Sequence, residues 1–195
     1  MNNFLKMCEE HKLWVKSAGK NGVQLSLDGM DMRDIKLAEP LFEQAFFSEC
    51  NFSGMSFEDA DIYQSEFYSC NFTNVQFSNC DFRKSTLDYS NFSGAAFVVG
   101  CKFPRVDSFK TDFSRCIFKD CSFVGFSIME GILNGVQCKS VDFDEVYFDK
   151  VIIENFTLAG SKNLDRANHI SFYLSENSAL IEGLAAIKWL AEHNS

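Results

Sequence analysis

An all-β solenoid is the fold that this 195-residue sequence implies: a right-handed quadrilateral parallel β-helix of about seven coils, with a short N-terminal cap and a C-terminal α-helix. Three observations carry that reading. Every fifth residue from 52 to 97 is large and apolar: Phe52, Phe57, Ile62, Phe67, Phe72, Phe77, Phe82, Leu87, Phe92, Phe97. The residue two before each is mostly small, as in Cys50, Ala60, Ser65, Cys70, Cys80, Ser85, Ser90 and Ala95. The other three positions of each five are mostly polar, often Asp, Asn or Ser.

A period of five fits neither standard element. On an α-helix it advances about 500°, so the large residues would wander around the axis. On a straight strand an odd spacing flips the side chain at each step. One geometry reconciles the pattern. Three residues run extended, so the small and the large residue both point inward, and two more turn a corner. Four such sides close a square coil of about 20 residues. Stacked coils pair as parallel strands about 4.8 Å apart, which suits offset stacking of Phe over Phe. Parallel connections are right-handed by rule, so the coil should be too. No repeat buries its face alone, so many must stack.

Cys50-Asn51-Phe52-Ser53-Gly54, Cys70-Asn71-Phe72-Thr73-Asn74 and Cys80-Asp81-Phe82-Arg83-Lys84 carry a resemblance. They are similar to the repeat of the pentapeptide-repeat family, roughly Ala-(Asp/Asn)-Leu-x-x with Phe often replacing Leu. The resemblance implies the same right-handed quadrilateral β-helix, and implies far less about function.

Three segments follow along the chain. Residues 1–24 form a cap segment, with Asn2 or Asn3 capping a short helix that carries Phe4, Leu5, Cys8 and Trp14. An open coil exposes apolar cross-section and unpaired strand edges, so His11 and Trp14 read as parts of an end cap before a ligand site. Residues 25–160 form the solenoid, whose register starts with Leu27, Met32, Leu37, Phe42 and Phe47. Pro40 lacks an N–H for the ladder and predicts an irregularity. The register breaks once: Phe103 follows Phe97 by six residues, predicting a bulge or small loop at 98–110, with Ser108 making that coil imperfect. The pattern then holds through Phe113, Phe118, Phe123, Ile128, Leu133, Cys138, Phe143, Phe148, Ile153 and Leu158. Residues 161–195 form a connector and a closing helix, capped at Asn177 or Ser178 and presenting Leu180, Ile181, Leu184, Ile187 and Leu190 at helical spacing. In several members of the family a C-terminal segment also makes a homodimer, so Ile187 and Trp189 are candidate dimer contacts.

The net charge of −9 argues against direct nucleic-acid binding, though not against mimicry of nucleic acid. No long apolar run suggests a membrane span, and no apolar leader core follows Met1, so the cytoplasm is the expected location. Of the eight cysteines, Cys50, Cys70, Cys80, Cys101, Cys116 and Cys121 fall at the small inward position and Cys138 at the large one. They read as reduced core filler rather than as disulfides or a metal site. The histidines, His11, His169 and His193, lie outside the repeat, and there is no phosphate loop or metal-ligand spacing. Asp and Asn before the large residue are structural, and the acidic pairs sit at turns. The sequence therefore predicts no catalytic, cofactor or metal site, and a protein that is not an enzyme.

The square geometry assigns each outward residue to a side. One side collects Asp28, Glu49, Glu66, Asp88, Asp107, Glu130 and Asp149, one acid per coil. The same side gathers Phe46, Tyr68, Tyr89, Phe109 and Tyr147, with Met129 in the remaining coil. A structural ladder would explain the rings; a binding face explains rings and acids together. The candidate partner-binding residues are Phe46, Glu49, Glu66, Tyr68, Asp88, Tyr89, Asp107, Phe109, Tyr147 and Asp149. The resemblance implies one partner class, because some family members imitate duplex DNA and bind DNA gyrase or topoisomerase IV. Duplex DNA carries a charge every 1.7 Å of axis, far denser than one acid per coil. The alternative is a general interaction or structural scaffold with an unrelated partner.

Overall fold

The computed structural model describes residues 2–35 and 42–192, with side chains from Phe4 onward. The caps expected at Asn2 or Asn3, the inward Leu37, the irregularity at Pro40 and His193 lie outside the described residues and side chains. The chain is a parallel β-solenoid of about seven turns flanked by a helix at either end. Strand Phe46–Ser48 pairs in parallel with Ser26–Asp28 on one side and Glu66–Tyr68 on the other, at a register of 20 residues. The opposite side is a six-stranded sheet from Ser56–Glu58 to Thr157–Ala159. The two intervening sides, those of Phe52 and Ile62, are made of single bridges and turns.

The corners explain the sides. The second residue after nearly every large one is left-handed, with φ of 52° at Glu49, 70° at Gly54, 60° at Lys84 and 57° at Tyr89; after Phe97 the bulge moves it to Gly100. On the Phe52 side the turn closes, and Met55 N–H donates to the Phe52 carbonyl at 3.2 Å. That is the type II geometry, in which only the third residue needs positive φ. Asn51 Oδ1 accepts the Ser53 N–H at 3.1 Å, and Asn71, Asn91 and Asp112 repeat this one coil apart each. The Asp and Asn preference before the large residue is thus a backbone requirement.

The small position has a parallel duty. On extended and turn sides alike, the carbonyl of a large residue can receive a side chain from the coil below. Cys70 Sγ donates to Phe47 O at 3.5 Å, Ser90 Oγ to Phe67 O at 3.4 Å, and Thr111 Oγ1 to Leu87 O at 2.6 Å. Cys80 and Cys121 serve Phe57 O and Phe97 O in the same way, at 3.5 and 3.7 Å. Cys, Ser and Thr are therefore small donors, more than filler. Cys50, Cys70, Cys80, Cys101, Cys116, Cys121 and Cys138 are buried. Burial pushes the Cys116 and Cys138 thiols up from their ordinary value.

The large residues form vertical stacks. Phe52, Phe72 and Phe92 lie 4.7 and 4.6 Å apart with interplanar angles of 2° and 10°. Phe77, Phe97 and Phe118 stack at 5.0 and 4.5 Å. Ser108, at a large position, is fully buried, and Phe126, at a small position one coil below, contacts Phe103, Phe113 and Phe123. The exchange keeps the core filled where one ring is missing.

The extra residue is confined to one bulge. Phe77 pairs with Phe97, but Ser78 pairs with Val99, so Val98 is looped out. Strand Asp107–Phe109 is regular and in register with Ser127–Met129. The disturbance expected over 98–110 is therefore one residue, because a bulge absorbs a single insertion without moving the next coil.

Both ends are covered. Helix α1 (Asn2–Lys16) brings His11 onto the first coil, where Nδ1 accepts the Leu25 N–H at 3.0 Å and Nε2 lies 2.9 Å from Glu43 O. The first bond leaves the proton on Nε2, which donates to Glu43 O. A side chain at Gly22 would collide with Glu10 O at 2.1 Å and Trp14 N at 2.7 Å, so glycine lets the chain double back against α1. At the other end the β pattern outlasts the repeat. Lys162 bridges Asp142, and strand His169–Tyr173 adds to Tyr147–Ile152. Ile181–Glu182 then pairs antiparallel with that last strand, and helix α2 (Gly183–Glu192) follows. The helix expected from Asn177 or Ser178 thus begins at Gly183. Ser178 Oγ instead closes a turn, accepting the N–H groups of Leu174 and Ser175 at 2.8 and 3.1 Å. Ile181 satisfies helical spacing but lies on a strand, because closing the open edge wins over local periodicity.

Candidate functional site

The acidic and aromatic side is built on the strands of Leu27, Phe47, Phe67, Ser108, Ile128 and Phe148, with Leu87 between. Leu87 is where its sheet divides. Leu87–Ser90 forms a turn, with Ser90 N–H on Leu87 O at 3.3 Å, and strand pairing thins to the single residue Thr86, bridged to Glu66 and Asp107. Tyr89 occupies the left-handed corner, with φ of 57°, between its ring neighbours above and below. Tyr68 and Tyr89 lie 5.1 Å apart, and Tyr89 meets Phe109 edge-on at 5.4 Å. Tyr68 and Tyr89 are 46% and 43% exposed, while Phe109 is half-buried under Lys110, whose Nζ sits 5.1 Å from the ring centre. Phe46 and Met129 are half-buried and Tyr147 is exposed. The rings thus form one exposed ladder over three coils, with Phe46 above it and Tyr147 two coils below.

The acids divide into two groups. Asp28, Glu49 and Glu66 are exposed, and among the described residues none of them is in an ion pair. Asp107 is exposed too, and burial and the charge of Asp88 push its carboxyl up from the ordinary value. The others are engaged. Asp88 Oδ1 accepts the Phe109 N–H at 2.9 Å, and Glu130 pairs with Lys110 at 3.5 Å. Asp149 accepts the Ser171 hydroxyl at 3.0 Å and faces His169 Nε2 at 3.4 Å. Unengaged negative charge is therefore concentrated on the N-terminal half of the stripe.

The last cluster brings Ser171, His169 and Asp149 together, and hydrogen-bond directions define it. Ser171 Oγ gives its proton to Asp149 and accepts the Lys150 N–H at 2.8 Å, so the 3.2 Å contact with His169 Nε2 is a donation from the ring. A nucleophilic serine needs the opposite polarity, with a basic ring nitrogen receiving its proton. Ser171 is also 1% exposed. The cluster locks the final strand, and the His169 ring packs against Tyr147 at 4.9 Å, tilted by 30°.

Tyr63, the one outward ring of the repeat away from the stripe, lines a shallow groove of about 570 Å³ with Arg83, Lys84 and Arg105, where the sequence suggested no pocket. Its cations are opposed by Glu43, Asp61 and Glu145 on the same walls, and Arg83 is paired with Asp81 at 2.7 Å. At the C-terminal end Trp189 turns inward onto Phe172 at 5.3 Å and Ile187 is half-buried against the core. Leu184, 86% exposed, is the open apolar residue of α2. No described helix is long and apolar enough to cross a membrane.

A family model described as pentapeptide repeat region matches residues 24–97. No curated protein matches the chain in sequence. Among solved structures, QnrB1, a plasmid-mediated fluoroquinolone resistance protein, is similar at 16% identity over 74% of this chain and 89% of that one, with a TM-score of 0.32. HetL, a pentapeptide repeat protein involved in heterocyst differentiation regulation in the cyanobacterium Nostoc sp. strain PCC 7120, is similar at 12% identity over 77% and 90%, with a TM-score of 0.26.

Proposed function

We propose that the chain, whose residues 24–97 match the pentapeptide-repeat model, is a pentapeptide-repeat protein: a non-catalytic, protein-binding solenoid whose acidic and aromatic side docks a basic partner surface. The observation that carries this reading is the ladder of the exposed Tyr68 and Tyr89 on the half-buried Phe109, with the unpaired Glu66 on the strand of Tyr68 and Glu49 one coil above. Rings supply contact area at low entropic cost, and free carboxylates steer a basic partner. The partner that the family resemblance suggests is a type II topoisomerase, DNA gyrase or topoisomerase IV, met by a rod in place of duplex DNA. A supercoiling assay with purified protein tests it. Inhibition or protection of the enzyme is expected, lost in the Tyr68→Ala, Tyr89→Ala double variant. Glu49→Gln with Glu66→Gln should slow association and flatten its salt dependence. A supercoiling activity indifferent to the protein would reject this partner.

A second reading, a scaffold for an unrelated partner, draws on the engaged acids. Asp88, Glu130 and Asp149 are spent within the fold, which leaves a sparser charge pattern than a full DNA imitation needs. Capture of a different protein by the same tyrosines would favour it. A homodimer contact through α2, if one formed, would centre on Leu184, its most open apolar residue.

A further inference from the structure

The side opposite the stripe carries an apolar patch of its own, and its surroundings identify what would cover it. The looped-out Val98 leaves Val98 and Val99 both outward, 39% and 50% exposed, with Ile117 at 43% in the next coil. Ala96 pairs with Ile117 and completes the patch. The rows above and below are polar. Strand pairing aligns one column as Glu58, Ser78, Val99, and then Lys119 over Lys139 in the coils beyond. A second column runs Ser56, Gln76, Ala96, Ile117, Gln137. Acid thus stands two coils above Val99 and base one and two coils below it. Among the described residues Asp59 and Asp120 are the other charged ones on this side, and Asp59 is bound to Asn79 Nδ2 at 2.5 Å.

We infer that this side is a self-complementary contact for a second copy of the chain, the two rods lying antiparallel. A two-fold axis in the contact plane, along the strand at Val99, maps each coil onto the one equally far on the other side of that level. Val99 then meets Val99, Gln76 meets Ile117, Ser78 meets Lys119, and Glu58 meets Lys139. Closed two-fold contacts have this form, each patch pairing with itself in reverse. The charge order is what selects a second copy: in parallel alignment Lys139 would face Lys139. The side is narrow. Six strands about 4.8 Å apart and roughly 10 Å wide give a projected contact of about 300 Å², well below the roughly 800 Å² per partner of a stable complex. The dimer is accordingly weak and appears only at high concentration. It is separate from the partner-binding stripe on the opposite side and does not depend on it.

Sedimentation equilibrium from about 10 µM to 1 mM, the span of weak affinities, tests the assignment. The wild-type chain should pass from monomer to dimer within it. Val99→Asp should leave it monomeric throughout, with an unchanged melting curve because the side chain is exposed. Lys139→Glu should weaken the dimer by roughly tenfold, since the acid would then face Glu58, and Glu58→Lys added to it should restore wild-type affinity. A monomer at every concentration overturns the inference. So does a dimer that survives Val99→Asp, or one removed by Leu184→Asp alone, which would move the contact to the end helix.

Discussion

Thr111 shows how much of the coil rests on small donors. Its hydroxyl reaches Leu87 O at 2.6 Å from a fully buried position. Thr111→Val keeps the shape and removes the donor, so it should cost about 1–3 kcal/mol. Thr111→Ser should cost less, and urea midpoints of the two variants read the difference. The five-residue pattern made the size of this position legible, but not its hydrogen bonding, because Cys, Ser, Thr and Ala all satisfy a rule about volume. His11 is a second buried polar residue with a measurable signature. Burial lowers its pKa below the ordinary 6.5, partly offset by the bond to Glu43 O. Below about pH 6.5 the unfolded chain therefore binds a proton that the folded chain does not. Stability should fall as pH drops from there, and level off once the folded pKa is passed. Comparing urea midpoints at pH 7.5 and 6.0 with those of a His11→Gln variant isolates the effect: the variant should lose that part of the slope.

The end elements follow different rules from the repeat. The strand His169–Tyr173 and helix α2 bury Ile170, Phe172, Ala186 and Leu190 against the last coil. Deleting residues 178–195 removes the antiparallel Ile181–Glu182 pairing and α2 together. The truncated chain should lower its melting temperature and scatter light on heating, because the strand edge and Phe172 are then open. An unchanged melt and a clear solution would show that α2 closes nothing. The start of α2 was misplaced in the sequence for a physical reason. Leu180, Ile181, Leu184 and Ile187 fit a helical period, yet a short apolar run serves a strand equally well, and an exposed sheet edge decided it. The same edge carried β structure to Tyr173, past the last five-residue repeat at Leu158.

Across the whole rod, stability is shared along stacks rather than held in one centre. Phe72 lies between Phe52 and Phe92 with both rings under 5 Å away. Phe72→Ala should cost about 3–5 kcal/mol, since rings above and below are pinned by their own coils and cannot collapse into the void. A denaturant midpoint equal to that of the wild type would contradict this. The solenoid and its inward columns were legible because a period of five has one compact solution. Which outward residues remain available was not. Glu66 and Asp88 look alike in sequence, and only the turn at Leu87 commits Asp88 to the Phe109 N–H.

The direction of the hydrogen bonds gives the rod a mechanical character. Coil is joined to coil by bonds such as Phe52 N–H to Asn71 O and Asn71 N–H to Cys50 O, which point along the rod axis. Tension between the termini therefore opens one rung at a time instead of shearing many together. Each released coil frees about 20 residues, on the order of 70 Å of extended chain, in exchange for about 4.8 Å of rod height. Pulled lengthwise, the molecule should yield at low force as a stepwise uncoiling tether, while pressure on its sides meets close-packed rings.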